Sequence, residues 1–304
     1  MAERITPRVD IAFKKIFGVE ENKDLLISLI NSIVGEQDQV LDVTLLNPYN
    51  PQNFKTDKLS ILDIKALGID GKRFNIEIQI SDEADYDKRA LFYWGKLYTE
   101  QLKISQDYSL LSKAIGIHIL NFTSIPGEAK YHNVFHIREK DSGLVYFKDL
   151  ELHTIELNKF THDSKDELSD IVAKVKNSLD MWVAFLTRND LLDRQNLPKE
   201  LDDPSLKKAL NVLEVMNFGP EERDFYEDHL KWLRIEANTL KKIREEGREE
   251  GREEGEARGK EIGEARGKED KAIEIASILL KAGIALDLIS SSTGLTLEQI
   301  EKLK

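Results

Sequence analysis

Asp63 and the triplet Glu77-Ile78-Gln79 flank an Asp70-Gly71 turn signal in KLSILDIKALGIDGKRFNIEIQIS, where apolar and polar residues alternate on both sides. Alternation specifies two antiparallel strands, and the length of the loop decides which side chains meet. A two-residue Asp70-Gly71 loop pairs Leu62 with Gln79 and Ile64 with Glu77, setting apolar residues against polar ones. A three-residue loop, Ile69-Asp70-Gly71 with Gly71 in the left-handed bulge position, pairs Leu62 with Ile78, Ile64 with Ile76 and Ala66 with Phe74. One face is then wholly apolar, and the other sets Asp63 directly across from Glu77 with Gln79 two residues along. Like charges opposed in this way are destabilising. Either a bound cation offsets the repulsion, or the pair sits on a solvent-facing side where two acids repel weakly.

If a cation is present, two carboxylates with the main-chain carbonyl of Ile78 between Glu77 and Gln79 form a small all-oxygen site. Mg²⁺ accepts one or two protein carboxylates, keeps several waters and takes its remaining ligands from substrate phosphate. Phosphodiester hydrolysis is the chemistry that this arrangement serves. The ion would polarise a phosphoryl oxygen and lower the pKa of the attacking water, and the Gln79 amide could orient that water.

Other catalytic classes find little support. Without a cysteine among 304 residues, thiol nucleophiles, zinc ribbons and disulfide scaffolds are excluded. His132 and His136 lie four apart in an apparent strand, so about 13 Å separates them and they cannot share a metal. His118, in the apolar run AIGIHIL, reads as a core residue, and no HExxH motif, nucleophile elbow or phosphate-binding glycine loop is present. A net charge of -12, from 44 basic and 56 acidic residues, argues against coating nucleic acid or anionic membrane through bulk electrostatics. With no secretory-type leader and no long apolar stretch, a soluble cytoplasmic protein without membrane contact is expected.

The elements that must position the carboxylates begin with an amphipathic helix over roughly Asp10 to Phe17 and a second over about Asn22 to Val34. Helix signals return after the hairpin, and mixed helix and strand signals continue to about Phe160. Four zones are expected: a globular domain over 1–162, a helical region over 163–240, a Gly/Glu/Arg-rich charged segment over 241–271 and a small helical tail over 272–304. In the second zone Ile171, Val175, Leu179, Trp182, Val183 and Leu186 repeat at helical spacing.

In order along the chain, Asp63 and Glu77-Ile78-Gln79 following PRVDIAFKKIFG resemble the PD-(D/E)XK nuclease superfamily. DIAFKKIFG, SILDIKA, FNIEIQIS and KRALFYWGKLYTEQL together resemble more closely its recombination-promoting nuclease (Rpn) family, also described as transposases. The resemblance runs from Pro7 to about Phe160 and includes ELHTIELNKF. It implies an α/β fold, with a restriction-endonuclease-like core of a mixed sheet flanked by helices, followed here by an all-helical C-terminal region.

It also implies a Mg²⁺-dependent DNA endonuclease, with Mn²⁺ as a substitute ion and a mobile-element, recombination or phage-defence setting. Asp63, Glu77 and Gln79 would be catalytic, and Asp63, Glu77 and the Ile78 carbonyl would hold the metal. DNA as partner comes from the resemblance and not from composition. Asp10 matches an acidic helix position that assists metal binding in such nucleases, although an Asp near a helix start also serves as a cap or dipole partner. Gln79 stands where the wider superfamily usually has Lys; Gln is common in this branch, and Lys65, on the Asp63 face, could supply a displaced positive charge. Arg89 and Tyr93, four apart on one helix face, match polar positions of the post-hairpin helix and are candidates for DNA contact. The competing reading is an ordinary helix with Arg89 solvated and Leu91, Trp94 and Leu97 facing the core.

Gly247, Gly251, Gly255, Gly259, Gly263 and Gly267 recur every four residues, each costing an isolated helix about 1 kcal/mol relative to Ala. The segment is therefore either a flexible linker or a helix that recovers the cost by close approach to another backbone, making the chain a homo-oligomer. In the tail, Gly294 and the Thr296/Gln299 capping-box spacing outline a helix-turn-helix whose last helix has a nearly neutral set of side chains. A non-catalytic oligomeric interaction protein that keeps the nuclease scaffold is the alternative to an enzyme.

Overall fold

The alternation around Asp70-Gly71 folds with the three-residue loop. In the computed structural model, strands β2 (Ile64–Gly68) and β3 (Arg73–Gln79) pair Ile64 with Ile76 and Ala66 with Phe74. The Gly68 amide donates to the Lys72 carbonyl at 2.8 Å, and Gly71 adopts φ +85°, the left-handed conformation the bulge requires. The described residues are 5–49, 63–82, 85–161 and 166–303, so Leu62 of the expected Leu62–Ile78 pair lies outside them. Among the described residues pairing begins at Ile64; Asp63 stands one residue before it and is not among the paired residues, so the expected Asp63–Glu77 pair is not one of the ladder pairs.

The chain forms two compact units, Met1–Glu236 and Ala237–Lys304. In the first, a six-stranded mixed sheet has the order β1-β2-β3-β4-β6-β5, adding β1 (Val43–Leu45), β4 (Ala114–Leu120), β5 (His132–His136) and β6 (Leu150–Glu156). β3, β4 and β6 run parallel, while β1 and β5 pair antiparallel with their neighbours. AIGIHIL in β4 is buried at every position, as a central parallel strand covered on both faces must be. Helices α1 (Asp10–Phe17) and α2 (Lys23–Ile33) put Phe13, Ile16, Phe17, Leu25, Leu26 and Leu29 into the main core against Ile64, Ile76 and Ile117. The opposite face carries α3 (Tyr86–Thr99), whose Trp94 Nε1 donates to the Ala114 carbonyl at 3.0 Å. After the one-turn α4 (Leu157–Phe160), the run Ile171 to Leu186 forms two helices, α5 (Leu168–Lys174) and α6 (Ser178–Arg188). They separate because Asn177 caps α6, its side chain accepting from the Asp180 amide at 2.9 Å. α6 and α7 (Pro204–Val215) complete the main core through Trp182, Phe185, Leu206 and Leu210.

The long α8 (Pro220–Lys281) starts in the first unit, where Tyr226 and Leu233 pack with Val9, Ile11, Ala12 and Ile80. It is helical across all six regularly spaced glycines, so the linker reading of that segment is not what forms. In the second unit α8 is followed by α9 (Leu286–Thr293) and α10 (Leu297–Glu301), with Ala276, Ile289, Leu295 and Ile300 as a small core. The Thr296/Gln299 capping box forms. Among the described residues, no helix is long and apolar enough to cross a membrane.

A polar network ties the β5 edge to the sheet. Lys113 Nζ lies 2.5 Å from Asp38 Oδ2 and 2.8 Å from Glu151 Oε2. Glu151 also meets His136 Nε2 at 2.7 Å and His153 Nε2 at 2.8 Å, and His153 Nδ1 lies 2.9 Å from His132 Nε2. Burial works against ionisation of Glu151, but these hydrogen bonds outweigh it and hold its carboxyl well below the usual range. His132 is pushed down to about 4, first by burial and then by His153. A histidine depressed in the folded state contributes stability that is present above its unfolded pKa of about 6.5 and is lost as pH falls through 4. Urea unfolding of His132→Gln should therefore show a flatter decline than the native chain between pH 6.5 and 4, by on the order of 2 kcal/mol. A parallel decline in both proteins would contradict this.

Candidate metal centre

Alternation along β3 puts Asn75, Glu77 and Gln79 on the face opposite Ile76 and Ile78, and β4 places His118 beside Glu77. Arg89, in the first turn of α3, reaches this face: its Nη2 donates to Gln79 Oε1 at 2.8 Å and lies 3.5 Å from Glu77 Oε1. The guanidinium also lies over the Tyr86 ring, 5.4 Å from its centroid. Arg89 is therefore not on a solvated face of an ordinary helix, as the competing reading expects. The helix buries Ala90, Trp94 and Leu97, spaced at four and three, which rotates Leu91 out to 60% exposure and Arg89 toward the carboxylates. Tyr93 is exposed one turn beyond Arg89, beside Phe92.

Glu77 lies in a structured pocket of polar groups. His118 is buried, its Nδ1 2.6 Å from Tyr86 Oη and 3.7 Å from Glu77 Oε2. Burial, then the charge of Arg89, push the His118 pKa down to about 4, so the ring is neutral at pH 7. Gln79 Nε2 donates to the Ser81 carbonyl at 3.2 Å.

Asp63 is held from another side. Lys65 Nζ lies 3.8 Å from Asp63 Oδ2, and Asn47 Nδ2 donates to Asp63 Oδ1 at 3.3 Å and to its main-chain oxygen at 3.0 Å. Lys14 Nζ donates to that same main-chain oxygen. Burial lifts the Asp63 carboxyl above its usual range despite Lys65 and Lys14. Burial drives Lys14 down to about 8, with Asp63 opposing the shift.

Asp10, at the start of α1, does not act as a side-chain cap: the N-cap position is Val9 and no side-chain cap bond forms there. Part of the residue reaches solvent, but its Oδ1 is enclosed and accepts no hydrogen bond from the described residues. Burial lifts its pKa to about 7, and the nearby charge of Glu77 adds to the shift. An enclosed carboxylate oxygen without a partner, next to a second carboxylate, is the setting a cation relieves.

The candidate donors Asp10, Asp63, Glu77 and the Ile78 carbonyl are all oxygens, a chemistry that would suit a hard cation such as Mg²⁺ and fits poorly to soft metals. Among the described residues, no group of three or more His, Cys, Asp or Glu side chains is arranged to hold a metal ion. Two carboxylates completed by water and phosphate are the arrangement these residues fit.

Sequence reasoning missed Lys14, Asn47, His118 and Tyr86 as site components. Asp10 and Lys14 share a helix face at a spacing of four, which was the available signal for Lys14. Asn47 and Tyr86 reach the site only through tertiary contacts.

A mixed six-stranded sheet flanked by helices, with Glu77, Gln79 and Arg89 meeting on one of its faces, defines an α/β protein. The chain belongs to the PD-(D/E)XK nuclease family transposases, whose family model matches residues 7–242. No curated protein and no solved structure matches it.

Proposed function

We propose that this protein is a Mg²⁺-dependent DNA endonuclease. The observation that carries the reading is the meeting of Glu77, Gln79 and Arg89 on one face of the sheet, beside the enclosed, unpartnered Oδ1 of Asp10. Asp63, Glu77 and the Ile78 carbonyl would hold the ion, with Asp10 assisting; Mn²⁺ could replace it. A bound cation supplies Lewis acidity and a water of lowered pKa. The chain's own residues do the rest. Gln79, fixed by Arg89 and Ser81, orients the incoming water, and Arg89 offers a guanidinium to a phosphate oxygen while neutralising Glu77. Lys65 contributes positive charge at Asp63. Tyr93, exposed on the Arg89 side of α3, would contact DNA. Incubating supercoiled plasmid with the native chain should give nicked or linear products with Mg²⁺ or Mn²⁺ and none with EDTA. Equal products with EDTA would remove the metal from the account. No products under any condition would favour the non-catalytic interaction protein.

We further propose that residues 1–162 carry the chemistry and that 241–271 assemble the chain into a homo-oligomer. Among the described residues, an added Cβ at Gly255, Gly259, Gly263 or Gly267 would meet nothing within 4 Å, so these glycines find no compensation there for their helix cost. Contact with a second copy supplies the missing compensation. Light scattering should show the full chain as an oligomer and a chain ending at Leu240 as a smaller species, by a factor of two or more in mass. Monomeric mass for both would reject the assembly role.

A further inference from the structure

Lys14 is fully buried, although a lysine ammonium out of water costs several kcal/mol unless it is paired. Its partner is not a surface carboxylate but the peptide of Asp63, whose main-chain oxygen accepts from Lys14 Nζ. Asn47 Nδ2 donates to the same oxygen at 3.0 Å, and Asn47 Oδ1 accepts from the Lys65 amide at 2.7 Å. Two donors from distant parts of the chain therefore converge on one carbonyl. That carbonyl belongs to the residue just before Ile64, the first residue of β2.

The space for the lysine stem is also built. A Cβ on Gly18 would lie 2.8 Å from Lys14 Cδ and 3.0 Å from Cε, so glycine at the end of α1 keeps this path open. Asp10, Lys14 and Gly18 follow at a spacing of four, bringing one of the site's acids, the buried amine and the room for it onto one side of the helix.

We propose that Lys14, with Asn47, is a positioning residue: the two clamp the Asp63 peptide so that its carboxylate is presented to Glu77 and to the cation. The proposal rests on the nuclease reading above. Groups behind the direct ligands of a metal set the ligands' orientation, and their loss lowers metal affinity by about 10–100-fold.

The test is calorimetric titration of Mg²⁺ into the full-length native chain, Lys14→Met, Lys14→Arg and Asn47→Ala, together with plasmid cleavage over a Mg²⁺ series. Lys14→Met and Asn47→Ala should each raise the Mg²⁺ dissociation constant by about tenfold or more. The Mg²⁺ concentration for half-maximal cleavage should rise by the same factor, and saturating Mg²⁺ should recover most of the rate. Lys14→Arg should fall between native and Lys14→Met. A merely structural role would lower the melting temperature and leave the Mg²⁺ midpoint where it is. Unchanged Mg²⁺ constants in both folded variants, beside a native chain that binds and cleaves, would overturn the clamp and leave the nuclease reading standing. A native chain that neither binds Mg²⁺ nor cleaves would overturn both. If circular dichroism shows Lys14→Met unfolded, the constant for Asn47→Ala decides the matter.

Discussion

Glu77→Gln is expected to lower Mg²⁺-dependent cleavage by about a thousandfold or more and to leave the fold intact. Glu77 lies mid-strand in β3 with its side chain 18% exposed, 3.5 Å from Arg89 and 3.7 Å from His118. Glutamine has the same shape and keeps two polar atoms for these neighbours, so packing and the strand register are unaffected. What changes is the charge: one of two carboxylates that would hold the ion becomes neutral, and several kcal/mol of transition-state stabilisation is lost with the cation. Removing a charge that acts unfavourably on Asp10 should leave thermal stability equal to or above the native value in metal-free buffer. Initial rates on plasmid and a thermal melt check both halves. Cleavage above a tenth of the native rate would place the ion elsewhere.

The second large effect is expected at Gln79. Superfamily pattern makes Lys usual at this position, so Gln79→Lys looks like a restoration, yet it should lower cleavage by at least tenfold. Gln79 Oε1 accepts from Arg89 Nη2 at 2.8 Å, and a lysine ammonium there would replace an acceptor with a like charge. A unit-charge repulsion near 3–4 Å is worth on the order of 4 kcal/mol at the effective dielectric of a partly exposed site. Arg89 would be driven from Glu77, 3.5 Å away, and lost from the proposed phosphate contact. The double variant Gln79→Lys/Arg89→Gln removes the repulsion and should recover part of the rate lost in the single variant. A Gln79→Lys chain faster than native would show that the amide is a deficit and that Arg89 does not depend on it.

How far the sequence could be read follows from the range of the interactions involved. The β2–β3 register was legible because a period of two allows only one face to be apolar, and Ile64–Ile76 and Ala66–Phe74 pair accordingly. α1 and α2 were legible from apolar spacing, and the helix break between Val175 and Asn177 was not, because a side-chain cap interrupts a periodicity that continues across it. Of the site, the carboxylates could be aligned by local register. Arg89 could not be assigned, since its orientation depends on whether α3 buries Leu91 or Ala90, a choice made by packing against the sheet. Lys14 was hidden within FKKIF, where a lysine reads as surface until the fold brings the Asp63 carbonyl to it. Asn47 meets Asp63 across 16 positions of sequence, and no local pattern encodes that contact.

Under the proposed function, Asp63 belongs to a site that hydrolyses DNA phosphodiesters with a divalent cation. This is tested most directly by incubating equal concentrations of native chain and a folded Asp63→Ala chain with the same supercoiled plasmid in Mg²⁺ and following conversion to nicked and linear forms. The native chain should cleave, and Asp63→Ala should cleave at a rate about a thousandfold lower or undetectable. Equal cleavage by the two proteins would contradict this.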